Sequence, residues 1–593
     1  MSSQWPYVIA SFFGKRLWLL TLHPAEAGDN SSPISCQLQK FFITSPPEYD
    51  AISYTRGADP RKSEVILVDG APVHVPESAA AALRQVRRRS TSSKPKNVWI
   101  DALCIDQEDT DLKAKQVHIM PLIYQQAAQV CVWLGASESM EFSAGSWWNR
   151  VWPLHEAIHA KRLVIMRPSG KDIAWESFKD TPMNTIAGNI SPFVDGFRQK
   201  MATKTLDPNA YALLHQCRSL GCADPRDRIY ALLSLLPLLI NVGMKPCYGN
   251  SCTTAKVYTD LVRKLIRGTG SLEILNCVRE WRHDHSLHDM ADLPSWVPNW
   301  AAVTTRDPAP LLDWADPTSY APSRYRAARL LKASLGEHTG DPRQLIIGGI
   351  RFDEISGLGI PWHPSTDITN APPVSRNGIG TLEQWEELTF SERPFCPYGS
   401  EMNPEARKEA LLRTYIADFT CERGSVPYDR LLTYVESWCD RVGWTSSISS
   451  RDSSSSYLQS ALRESTAWVQ HMTALMEQAG ATRNPLRSFK AIRELASRGP
   501  AEYMAYAQRI YTACAHRRLL VTKRGYIGLA PWNAETGDVV AVLHGGETPF
   551  LLRPGGEPGV YSLVGECFVY GIMGGEALGW ENAIAAARDF RIV

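Results

Sequence analysis

Tyr49 to Tyr54 (YDAISY), Val65 to Gly70 (VILVDG), Val98 to Ile105 (VWIDALCI) and Val130 to Gly135 (VCVWLG) are short, apolar, β-rich runs. Between them lie Glu77 to Arg89 (ESAAAALRQVRRR) and Asp111 to Ala128 (DLKAKQVHIMPLIYQQAA), which read as helices. Continuous apolar runs bounded by polar residues are the pattern of strands covered on both faces of a parallel sheet. Strand, helix, strand, helix, strand therefore predicts an α/β layer. Upstream, Arg16 to Leu22 (RLWLLTL) adds a strand, and Pro72 to Val75 (PVHV) another.

Beyond Leu206 the character changes. Tyr211 to Cys217, Arg226 to Leu236, Thr254 to Arg267 and Glu405 to Tyr415 repeat apolar residues at three and four, so a largely helical middle is expected. Residues 303–325 and 357–403 are rich in Pro, Gly, Ser and Asp, and Ser446 to Tyr457 (SSISSRDSSSSY) reads as a Ser-rich linker. From Arg517 strands return, punctuated by Gly525, Gly537, Gly545-Gly546 and Gly555-Gly556 at hairpin spacing, which predicts a small antiparallel β-module.

The 593 residues carry 63 Lys and Arg against 62 Asp and Glu, a net charge of +1, so no bulk field favours a nucleic acid or an anionic membrane. The most apolar stretch, Leu232 to Val242 (LLSLLPLLINV), is too short for a membrane helix and is interrupted by Pro237. Thirteen scattered cysteines form no tight framework, which favours a reducing compartment. The expectation is a soluble protein of the cytoplasm or nucleus with neither nucleic acid nor membrane as partner.

Five ordered blocks, Tyr49 to Gly57 (YDAISYTRG), Trp99 to Gln107 (WIDALCIDQ), Gln116 to Tyr124 (QVHIMPLIY), Val132 to Gly135 (VWLG) and Arg150 to Glu156 (RVWPLHE), resemble the fungal heterokaryon-incompatibility domain. Asp224 to Leu233 (DPRDRIYALL), Leu293 to Trp300 (LPSWVPNW), Gly525 to Pro531 (GYIGLAP), Gly537-Asp538 and Tyr561 to Glu576 are similar to the long form of these proteins. The resemblance implies nonself recognition and regulated cell death. It also implies a distant likeness to the Toll/interleukin-1 receptor (TIR) fold, that is, a flavodoxin-like α/β N-terminal domain followed by a mostly helical middle and the β-module. The organisation expected is an N-terminal strand segment at 1–48 and the TIR-like domain at 49–200. A helical region at 201–340, a helical or irregular region at 341–500 and a helix with the β-module at 501–593 complete it.

Some TIR domains cleave NAD with a Glu in a Trp-x-x-x-Glu pattern, and Trp152 to Glu156 has that spacing, so the resemblance nominates Glu156 as catalytic. It further implies a small-molecule nucleotide as ligand, NAD as substrate with no cofactor, and a homo-oligomer or a protein partner in recognition. Four positions depart from the family pattern: Arg56, Asp106, Leu112 and His155. In an open α/β sheet ligands bind outside the carboxyl ends of the strands, which places Tyr54, Arg56, Asp101 and Asp106 near the pocket with Trp152. A carboxylate there can stabilise an oxocarbenium-like state, and an Arg fork suits a pyrophosphate. A remodelled small-molecule enzyme of specialised metabolism and a non-catalytic recognition scaffold both stay open.

Three other patterns carry chemistry. His155 to His159 (HEAIH) is an HExxH, which on a helix sets two imidazoles on one face for zinc, with Glu176 the nearest downstream Glu. Cys217, Cys222, Cys247 and Cys252 form two Cys-x4-Cys units able to supply four thiolates to one zinc. Arg87-Arg88-Arg89 with Lys94 and Lys96 is a basic run without interleaved aromatics, which reads as a solvated helix end.

Overall fold

The computed structural model describes residues 16–25, 32–56, 61–89, 94–135, 147–168, 171–178, 191–278, 290, 292–302, 310–312, 323–329, 331–336, 341–362, 375–390, 397–398, 404–418, 509–510, 512–579 and 587–593. The Ser-rich stretch at 446–457 lies outside these residues. The chain divides into two compact units, Met1–Thr254 with Asp316–Tyr320, and Ala255–Ala315 with Ala321–Val593.

The first unit is built on a mixed sheet of β1 (Arg16–Leu22), β2 (Ser35–Phe42), β3 (Asp50–Tyr54), β4 (Ser63–Val68), β5 (Ala71–Pro76), β6 (Lys96–Trp99), β7 (Gln129–Trp133), β8 (Leu163–Met166) and β9 (Ile173–Ala174). Its spatial order is β5-β4-β2-β1-β6-β3-β7-β8-β9. Four neighbours, β6, β3, β7 and β8, run parallel, with Asp50 to Tyr54 aligned on Gln129 to Trp133. Counted in chain order, this core reads 2-1-3-4, so the winding reverses beside β3. The α/β reading of the sequence holds, and the buried runs of β3 and β8 account for it. Antiparallel pairs of β1 with β2 and β6, of β4 with β5 and of β8 with β9 extend both edges.

Helices supply the crossovers. α1 (Glu77–Arg89) buries Ala79, Ala80, Ala82, Leu83 and Val86, and ends on Arg87 to Arg89, where cations suit the dipole. α2 (Asp101–Cys104) is one turn. The strand expected to run from Val98 to Ile105 therefore leaves the sheet after Trp99, because a short apolar run cannot distinguish a strand from a buried helical turn. α3 (Thr110–Gln126) starts at Asp109, whose carboxylate accepts from the amides of Asp111 and Leu112 at 3.0 and 2.9 Å. α4 (Trp152–His159) enters through Pro153 and is buried from Pro153 to His159. Further along come α5 (Trp175–Phe178), α6 (Ser191–Thr203), α7 (Ala210–Gln216), α8 (Asp227–Tyr230) and α9 (Pro237–Asn241). The helix expected over Arg226 to Leu236 is thus interrupted after Tyr230, a 3-10 turn intervenes, and Pro237 opens the next helix, where its missing N–H is harmless.

In the second unit α10 (Thr254–Thr269) buries Val257, Tyr258, Leu261, Val262, Leu265 and Ile266. The sheet joins β10 (Leu345–Leu358), β11 (Arg517–Thr522), β12 (Ile527–Pro531), β13 (Val539–Leu543), β14 (Phe550–Pro554), β15 (Val560–Glu566), β16 (Phe568–Val569) and β17 (Arg588–Ile592). Antiparallel strands at the C-terminus are as expected, and Gly525 takes the positive φ of the turn between β11 and β12. Two features were not anticipated. β13 also pairs with β10, so β10, β13, β14, β15 and β17 close into a barrel with one parallel pair, β15 on β17. β10 itself lies where a helical or irregular region was expected, and its alternating burial up to Ile350 marks it as strand. Among the described residues no helix is long and apolar enough to cross a membrane.

One ion pair is sealed in this barrel unit. Arg517 and Glu566 are 0% and 1% exposed, meet at 3.0 Å, and share further bonds with the Ala513 carbonyl and the Leu311 amide. Removing one partner of such a pair strands the other charge. Arg517→Met should lose about 3–5 kcal/mol in urea unfolding, and Arg517→Met with Glu566→Gln should lose less. An unchanged midpoint in the single variant would contradict the sealed pair.

Candidate functional site

The carboxyl end of β3, where the strand order reverses, is the place where an open α/β sheet puts a ligand. β3 ends in Ser53 and Tyr54, β6 is followed by Asp101, and β7 ends in Trp133. Across this end lies α4, which packs on both β3 and α3. Burial leaves Glu156 8% exposed, and a carboxyl so placed needs donors. The Ser53 hydroxyl donates to Glu156 Oε2, and Trp147 Nε1–H donates to Ser53 Oγ at 2.6 Å. From α3 the Tyr124 hydroxyl hydrogen-bonds the same carboxyl.

Burial pushes the Glu156 carboxyl up to about 7, the Ser53 hydrogen bond pulls the other way, Asp101 raises it and Arg150 and Tyr124 lower it. Tyr54 is raised well above the usual phenol value by burial and by Asp101, against the nearby Arg56 guanidinium. Burial likewise raises Tyr124, with Glu156, Asp101 and Tyr54 adding to the effect. Of the residues nominated from sequence, Asp101 is thus within electrostatic reach of both Tyr54 and Glu156, and Arg56 of Tyr54. Ser53, Tyr124 and Trp147 complete the cluster and were not singled out as site residues. Ser53 carried a signal, as a polar residue inside an apolar run.

The other nominated residues do different things. Asp106 is exposed and its carboxylate accepts from the amides of Glu108 and Asp109 at 3.0 and 3.2 Å, which shapes the turn into α3. Trp152 donates its indole N–H to Asp227 at 2.9 Å. His155 Nδ1–H donates to the Trp152 carbonyl at 2.9 Å, and His159 Nε2 bonds the Ser234 hydroxyl at 3.0 Å. Burial lowers these imidazoles to about 4 and about 3. The HExxH residues are thus tied separately into the core, and among the described residues no cluster of three or more His, Cys, Asp or Glu is placed to hold a metal ion.

The four-cysteine zinc expectation is corrected: Cys247 and Cys252 form a disulfide, and Cys217 is buried. Cys104 is also buried, its thiol raised to about 12, which does not suit a nucleophile. The basic run is spent internally in part, with Arg88 and Lys94 exposed. Arg87 donates to the Ser32 and Pro33 carbonyls, Arg89 pairs with Asp172, and Lys96 pairs with Asp50.

The buried titrations act in opposite directions. Glu156 binds its proton more tightly folded than unfolded, so its contribution is present below pH 4.5 and is lost as pH rises through about 7. The two histidines bind theirs less tightly folded, so they cost stability as pH falls below 6.5. Glu156→Gln removes only the first effect. Between pH 4.5 and above 7 the stability of the variant relative to wild type should therefore rise by roughly 3 kcal/mol, read from urea unfolding at several pH values. A difference independent of pH would contradict the buried, raised carboxyl.

Comparison with known proteins now bears on this geometry. The heterokaryon incompatibility protein (HET) family profile matches residues 49–150, and the Het-6 beta-barrel domain profile matches residues 405–593. The first span holds Tyr54, Arg56, Asp101, Tyr124 and Trp147 and ends before Glu156; the second omits β10, which closes the barrel. The chain is similar to heterokaryon incompatibility protein 6, OR allele, of Neurospora crassa, with 23% identity across 94% of each chain. No solved structure matches. Both domain profiles, with a relative aligned over almost the whole length, support a HET-domain protein with a C-terminal Het-6 β-barrel.

Proposed function

We propose that this chain acts in heterokaryon incompatibility, as a protein of fungal nonself recognition and cell death, and that its α/β domain hydrolyses NAD or a related nucleotide through Glu156. The name of the Neurospora relative and the HET profile support the first part. The 2-1-3-4 strand order supports a TIR-like domain. The observation that carries the second part is a carboxyl brought to about 7 where that winding reverses.

In the proposed reaction the bond between nicotinamide and ribose breaks, and its electron pair leaves with nicotinamide. Ionised Glu156 would stabilise the positive charge that develops on the ribose, water would add to the sugar, and the carboxylate would take up the proton released. Arg56, exposed at the loop after β3, is suited to the pyrophosphate. Tyr54 and Asp101 offer hydrogen-bonding groups to the sugar hydroxyls.

A second reading is favoured by one observation. Glu156 is held by Ser53 and Tyr124 and is 8% exposed, as a carboxyl that fastens α4 to β3 in a non-catalytic recognition scaffold would be. Nicotinamide release from NAD decides between them. Glu156→Ala should lower release at least about 100-fold, with chelator-treated wild type unaffected. Release that is absent in wild type, or unchanged in the variant, would leave the scaffold.

A further inference from the structure

Cys247 and Cys252 close a short disulfide loop at the edge of the first unit. Within it Tyr248 is buried, and its hydroxyl donates to Asp227 Oδ1 at 2.6 Å. The other carboxylate oxygen of Asp227 accepts from Trp152 Nε1 at 2.9 Å. Trp152 is the first residue of α4, one turn before Glu156. A continuous chain of hydrogen bonds thus runs from the disulfide loop to the helix that carries the carboxyl.

The loop is fastened at both ends as well. The Cys247 carbonyl accepts from the Tyr230 hydroxyl at 3.1 Å, and the Cys252 carbonyl from Arg226 Nη1 at 2.8 Å. Lys113 of α3 sits 4.4 Å from the centre of the Tyr248 ring, and α3 also supplies Tyr124, which bonds Glu156. Both helices that hold the Glu156 carboxyl therefore lean on this loop.

The cystine is accessible, as is the free Cys222. Cys247 and Cys252 are partly exposed, whereas Cys36, Cys104, Cys131 and Cys217 are buried. Burial raises those four thiols to between about 11 and about 12, which leaves little thiolate at neutral pH. A reductant in solution can reach the disulfide.

We propose that the Cys247–Cys252 disulfide is a redox-sensitive clamp on the Glu156 site, acting through Tyr248, Asp227 and Trp152. Its functional meaning rests on the reading of Glu156 above; its mechanics do not. A dithiol reductant's thiolate attacks one sulfur, the Cys247–Cys252 bond breaks, and a mixed disulfide forms. The reductant's second thiol displaces the protein sulfur, so two electrons and two protons yield two protein thiols and an oxidised reductant. The freed loop then no longer presents Tyr248 to Asp227, and the start of α4 loosens.

Amide hydrogen exchange of the peptide covering 152–159 tests this in the full chain, with and without dithiothreitol and in Cys247→Ser/Cys252→Ser. Reduction or the double substitution should speed that exchange about tenfold while β13 and β14 keep their rates. Tyr248→Phe, with the disulfide intact, should reproduce part of the effect. Equal exchange in the oxidised and reduced forms, or both cysteines alkylated in protein kept oxidised, would overturn the clamp. Nicotinamide release measured alongside separates the two readings. Redox-dependent exchange without any release sinks the hydrolase alone, and release with redox-independent exchange sinks the clamp alone.

Discussion

A single carboxyl group taken out of water at the end of the central strand organises the first unit. Glu156 lies against Ser53 of β3 and Tyr124 of α3, so the helix that carries it, the crossover helix and the sheet meet at one polar point in apolar surroundings. A buried carboxyl without donors is costly, and its ionised form more so. The site answers this with hydroxyl donors and with a proton held up to about pH 7. Trp147 completes the arrangement by donating to Ser53, which leaves that hydroxyl's own hydrogen for the carboxyl.

Much of this was legible in the sequence, because the parallel core announces itself. β3 is an apolar run interrupted by Ser53, β7 is apolar from Val130 to Trp133, and α1 and α3 fall where helices are read. Other elements were hidden for physical reasons. β8 has four residues, too few for a period to show. β10 carries Gly348-Gly349, Arg351, Asp353 and Glu354, and its register shifts twice as it serves three neighbours, so no simple alternation survives. Asp101 was placed correctly at the carboxyl end of the sheet, yet as the start of a helical turn and not inside a strand.

The site divides in the same way. Of the residues placed at the strand ends, Asp101 reaches both Tyr54 and Glu156, the Glu that the Trp-x-x-x-Glu spacing marks. Asp106 and Trp152 were nominated with them but serve a turn and a tether to Asp227. The HExxH spacing puts His155 and His159 on one helix, yet burial holds both neutral and the Trp152 carbonyl and the Ser234 hydroxyl occupy them. Spacing fixes which side chains can share a face, while burial and hydrogen bonding decide what they do there. Ser53 shows the converse: a serine in a buried strand is informative because it needs a partner, which local pattern cannot name.

The central claim is that burial, moderated by Ser53 and Tyr124, sets the state of the Glu156 carboxyl. Infrared difference spectroscopy of wild type against Glu156→Gln across pH isolates the carboxyl band of that one residue. The account predicts a midpoint near 7, moving higher in Ser53→Ala as a hydrogen bond to the ionised form is lost. A midpoint near 4.5, unmoved by Ser53→Ala, would place the group in water and contradict the site described.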